Sequence, residues 1–123
     1  MRYDLIFITT ALLCLLVGES LGIWMGVAHD FTFAPVHAHL NLLGWVTLAA
    51  YGLMHRAYPA LGASRLAGPQ CALAVLSSVA MPSGIAYAML TQNPIVAIVA
   101  ALGVFAATAA FMIMFVRKAR LAV

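Results

Sequence analysis

Val36-His37-Ala38-His39-Leu40-Asn41-Leu42-Leu43-Gly44-Trp45-Val46-Thr47-Leu48-Ala49-Ala50-Tyr51-Gly52-Leu53-Met54-His55-Arg56-Ala57-Tyr58 decides the reading of this chain. The stretch is long enough to cross a hydrocarbon layer of about 30 Å as one helix, yet it opens with two histidines. Imidazoles carried into lipid are costly unless they bind something. His37 and His39 are therefore a metal or haem site hypothesis from the outset.

The rest of the chain has the same apolar character. Of 123 residues, 66% are apolar and 7% charged, and the mean hydropathy is +1.09, whereas a soluble domain carries about 25% charged residues. This composition is that of an integral membrane protein. So short a chain forms one domain, most of whose surface faces lipid or sister subunits. Cys14 and Cys71 sit in separate apolar runs and read as free buried thiols.

Four runs approach the roughly 20 residues a spanning helix needs: 5–27, 36–58, 69–90 and 95–116. The expected fold is an all-α, four-helix integral membrane bundle. Pro35, Pro69 and Pro94 stand near helix starts, where a missing backbone donor costs nothing, and Pro59 closes the second run. Met81-Pro82-Ser83-Gly84 should kink the third. The first run is too long for a signal core, contains Glu19 and lacks a clear cleavage site, so it reads as an uncleaved span.

Positive charge sets the orientation. Arg2, Arg56, Arg65, Arg117, Lys118 and Arg120 all fall on one side of these spans, which places both termini in the cytoplasm and the protein in a bacterial-type inner membrane as a multi-pass chain. His29, Asp30, Gln92 and Asn93 face the opposite compartment, with His37 and His39 near that surface. The basic residues are few and juxtamembrane, which fits contact with the lipid bilayer and gives no support to nucleic-acid binding.

At about 100° per residue, His37 and His39 point about 160° apart around an α-helix, so they serve different clefts rather than one ion. His37, Asn41, Gly44, Leu48, Tyr51 and His55 form one stripe; His39, Leu43, Val46, Ala50 and Leu53 form the other. Gly44 and Gly52 leave room for a flat macrocycle or a close neighbouring helix.

The run His37-Ala38-His39, Gly44-Trp45, Gly52 and Pro59 resembles the tenth helix of haem-copper oxidase catalytic subunits, most closely those of the cbb type, and of the related nitric oxide reductases. The resemblance implies that His37 ligates a high-spin haem and His39 a low-spin haem, in the outer half of the membrane. The family's catalytic subunit has twelve helices in three arcs of four, with haem-binding histidines on an arc's second helix. A homotrimer of this four-helix chain would resemble that core, with His37 of one protomer across a cleft from His39 of the next.

The chain also departs from the family. Beyond the pair it has only His29 and His55, so the histidines of a copper centre are missing and independent oxidase activity is not expected. No arginine is placed to meet haem propionates. There is no Cys-x-x-Cys-His, so any haem is non-covalent, most simply haem b.

The functional expectation is a membrane haem b protein for electron transfer, with a redox partner, or for diatomic gas binding. His37 and His39 supply the axial ligands, with Asn41, Gly44 and Trp45 around the cofactor. Glu19, a carboxyl within a span, would accept the second ring N–H of a ligating histidine or stay neutral beside Ser20. Several plainer readings stay open. They give the pair interhelical hydrogen bonds, His55 an interfacial role beside Arg56, and Trp24 and Trp45 packing. A copper or zinc binding or transport protein using His37, His39 and His29, and a haem-free assembly subunit, are the alternatives. No nucleophile with a base, paired carboxylates or phosphate-binding glycine loop is present.

Overall fold

A computed structural model describes residues 1–119; Arg120, one of the orienting cations, lies outside them. All regular structure among the described residues is helical: α1 (Tyr3–Ala28), α2 (Ala34–His39), a π-helix (Leu40–Thr47), α3 (Leu48–Ala57), a 3-10 helix (Pro59–Ala63), α4 (Ala67–Thr91) and α5 (Ile95–Ala119). Three helices, Tyr3–Ala28, Ala67–Thr91 and Ile95–Lys118, are long and apolar enough to cross a membrane.

The stretch expected as a second span, 36–58, departs from a plain α-helix. Its middle eight residues are π-helical, while the junction residues Leu40 and Leu48 keep right-handed helical dihedrals, so α2, the π-helix and α3 run on as one helical rod. A π-helix bonds i to i+5 and turns more slowly than 3.6 residues. The Thr47 hydroxyl accordingly donates to the Leu42 carbonyl, five residues back, at 2.8 Å. The buried positions of the rod fall along one face, at Leu40, Gly44, Leu48, Tyr51, Gly52 and His55.

The turns explain where the helices stop. α1 ends at His29, whose left-handed backbone (φ 51°) sends its N–H to the Met25 carbonyl. The α4–α5 turn uses Gln92 in the same conformation (φ 61°), and the Asn93 side chain accepts the Ile95 N–H at 3.1 Å, which caps the start of α5. α4 continues through Pro82, at the loss of the bond that residue would have donated to Ser78.

α4 and α5 pack as one hairpin and α1 packs along the π-helix and α3. The two pairs meet in a core of Phe7, Leu48, Tyr51, Leu61, Phe111 and Met114. Tyr51 is its centre: its ring lies 4.3 Å from that of Phe111 and 5.6 Å from that of Phe7, and its hydroxyl pairs with Thr108 at 3.0 Å. At this end of the fold Asp4 accepts from Arg2 (3.0 Å) and Arg56 (2.9 Å), tying the start of α1 to the end of α3.

Candidate functional site

The seam between α1 and the second helical rod is built by glycine. Gly18, Gly22 and Gly26 recur every four residues on α1, and the first two meet the rod where a side chain would not fit. A Cβ on Gly18 would lie 2.5 Å from the Asn41 side-chain oxygen, and one on Gly22 would lie 2.9 Å from His37 Cε1. Further along the seam, Gly44 answers from the other side, against Cys14, and Gly52 against Ile8 and Phe7. This is the small-residue packing of membrane helices, spent within the chain.

The close approach brings the His37 ring to the α1 backbone. His37 Nδ1 stands 2.9 Å from the Gly18 carbonyl oxygen. A carbonyl only accepts, so Nδ1 carries the proton and donates, and the Nε2 lone pair is left for another partner. The Asn41 amide donates to the His37 backbone carbonyl at 3.0 Å, and its nitrogen lies 3.3 and 3.4 Å from the two ring nitrogens. A nitrogen nearly equidistant from both lies off the axis of the Nε2 lone pair.

His39 reaches the same state locally. Its Nδ1 is 2.8 Å from the carbonyl oxygen of Pro35, one turn back, which again leaves Nε2 as the free acceptor. Two residues along α2 from His37, the half-buried His39 leaves the helix about 160° round from the side that meets Gly18 and Gly22. One chain therefore presents two imidazoles of the same tautomer in different directions. Gly22 is six residues from the end of α1, which sets His37 about 9 Å along that helix from Ala28.

The other expected site residues are dispersed. Gly44 is buried against Cys14, Trp45 is half-buried against the central core, and Glu19 is exposed with no hydrogen-bond or ion-pair partner among the described residues. The carbonyls of Gly18 and Pro35 occupy the place expected for a Glu19 carboxylate. His55 is a correction: instead of lying at the interface it is buried among Tyr3, Phe7 and Phe111, with ring centroids 5.6 to 6.0 Å away. Its Nε2 is buried without a hydrogen-bond partner. Both cysteines are free and buried.

Sequence reasoning passed over Gly18 and Gly22, although Gly-x-x-x-Gly in an apolar run is a signal of close helix packing. Among the described residues no three His, Cys, Asp or Glu side chains gather where they could hold a metal ion. An apolar cavity of about 470 Å³ lies between α1, the rod and α4, lined by Cys14, Val36, Leu40 and Pro82 and by neither histidine. No protein-family model, curated protein or solved structure matches the chain.

Proposed function

We propose that this chain is a membrane haem b protein of four spans, built like one arc of a haem-copper oxidase core, with His37 and His39 as axial ligands at the interfaces of a homotrimer. The observation that carries this reading is the shared tautomer: each imidazole gives Nδ1–H to a backbone carbonyl and keeps Nε2 open. Iron-ligating histidines are commonly oriented by such a bond, which also raises their basicity. The donor set fits haem better than a chelated copper or zinc ion, since no third ligand stands beside either ring.

Haem bound between two such rings would carry one electron. The protein's part is to fix the rings. Gly18 and Gly22 let His37 sit against the α1 backbone, and Pro35 lies one turn before His39. Because the two rings face different directions, each needs a second surface opposite it, and another copy of the chain supplies one with cyclic symmetry. The glycine face of α1 is already used internally, so such copies would meet through other surfaces. The positive-inside rule, applied to Arg2, Arg56, Arg65, Arg117 and Lys118, puts the histidine end on the outer side of an inner membrane.

One measurement tests this reading: an absorbance spectrum of the detergent-extracted protein, oxidised and reduced, with haem quantified per chain. The expected result is a haem b spectrum, low-spin and insensitive to carbon monoxide on reduction, lost in both His37→Ala and His39→Ala. Extracted protein with no Soret band after expression with ample haem would overturn it. Size analysis in detergent giving only monomer would remove the trimer.

A further inference from the structure

The chain has six cations and only three carboxylates. Asp4 takes Arg2 and Arg56, while Glu19 and Asp30 lie toward the other end of α1. Arg65, Arg117 and Lys118 therefore have no carboxylate side chain near them. These three cations converge. Arg65, in the turn before α4, and Arg117 and Lys118, in the last turns of α5, line one cavity of about 380 Å³. Its walls include the Ser64 segment, and Met114, a fully buried side chain of the core, contributes to its lining.

Like charges brought together with no carboxylate side chain beside them repel one another, and an anion between them relieves the repulsion. Arg117 and Lys118 also complement the carbonyl end of α5, but Arg65 comes from another element and has no such part. The surroundings of the cavity say what kind of anion fits. Ile113 and Val116, on the two turns of α5 leading up to it, are exposed apolar side chains, and Leu66 is exposed beside it. A ligand seated here has a polar head among three cations and apolar surface running away from it along α5.

We infer that this cavity binds the phosphate headgroup of an anionic phospholipid, with the acyl chains against the exposed face of α5. A headgroup with two phosphodiesters matches three cations better than a headgroup with one. Guanidinium groups suit such phosphate oxygens because they offer paired donors in a plane. The inference rests on the membrane-spanning reading of α1, α4 and α5, and is independent of haem.

The test is native mass spectrometry of the full chain in detergent. Phosphatidylcholine, phosphatidylglycerol or diphosphatidylglycerol is added at equal concentration, and the variants are Arg65→Gln, Arg117→Gln and Lys118→Gln. Retention should rise from the zwitterionic lipid to phosphatidylglycerol to diphosphatidylglycerol, and each substitution should weaken diphosphatidylglycerol retention about fivefold. Arg2→Gln, on a cation already paired with Asp4, should leave retention unchanged. Unaltered helicity by circular dichroism would confirm that the variants fold. Equal retention of all three lipids, or no effect of the three substitutions, would overturn the inference. Full displacement of the lipid by millimolar inorganic phosphate would overturn the lipid assignment in favour of a free anion. Protein that stays dispersed without any detergent would overturn the membrane reading itself.

Discussion

Gly22 and His37 touch across the seam between α1 and α2, where a single added methyl on the glycine would stand 2.9 Å from the imidazole. The contact lets the ring reach the Gly18 carbonyl, and it makes a residue with no side chain a condition for placing one that carries chemistry.

Gly22→Leu should therefore displace His37. The expected outcome is a loss of stability of about 1–3 kcal/mol, as in other overpacked interiors, together with loss of bound haem. Gly26, four residues on, has nothing within 4 Å of its own Cβ position. Gly26→Ala should raise helix stability by about 0.5–1 kcal/mol and leave haem untouched. Thermal unfolding in detergent, followed by circular dichroism, compares the two.

Tyr51→Phe keeps the ring stack with Phe7 and Phe111 and removes only the hydroxyl that meets Thr108. The expected cost is about 0.6 kcal/mol, the average for interhelical hydrogen bonds in a membrane protein. Tyr51→Ala, which also empties the space between α1 and α5, should cost about 3–5 kcal/mol. A steric-trapping or denaturant series on both variants would separate the two contributions.

Asn93→Ala removes the acceptor for the Ile95 N–H at the start of α5, and should lower stability by about 1 kcal/mol. Gln92→Gly, one residue earlier, replaces a side chain at φ 61° by the residue that adopts this conformation without strain. Its effect should have the opposite sign. The melting temperatures of the two variants test this directly.

Asp4→Asn should loosen the start of α1. The wild-type carboxylate holds both Arg2 and Arg56, and a neutral amide leaves the two guanidinium groups facing each other. Backbone amides at residues 5–8 should exchange with deuterium faster in the variant, and wild-type exchange there should quicken on raising salt. Equal exchange in both proteins would mean the pairs contribute nothing to the helix end.

Much of this architecture is legible in the residues. Pro35, Pro59 and Pro94 mark real boundaries, and the described cations stand at helix ends or in the turn before α4. His55 was not legible. Beside Arg56 it looks like a surface residue, and its burial depends on Tyr3, Phe7 and Phe111, which come from elements distant in sequence. Nor was the tautomer of His37, which is set by a carbonyl that only the Gly18–Gly22 approach makes reachable. The π-helix carries no residue signature at all. Read at about 100° per residue, the stripe of Gly44, Leu48, Tyr51 and His55 is the buried one, with His37 and Asn41 half-buried at its α2 end.

Those eight wide-turn residues act as a phase shifter. At the α3 end the rod is locked in azimuth by the aromatic plug around Tyr51, and at the α2 end by the contact of His37 with glycine. A uniform α-helix would force one bearing to follow from the other. The π segment lets each end take the angle its neighbours demand, so a one-residue deletion between Leu40 and Thr47 would re-aim the histidines while leaving the aromatic plug seated.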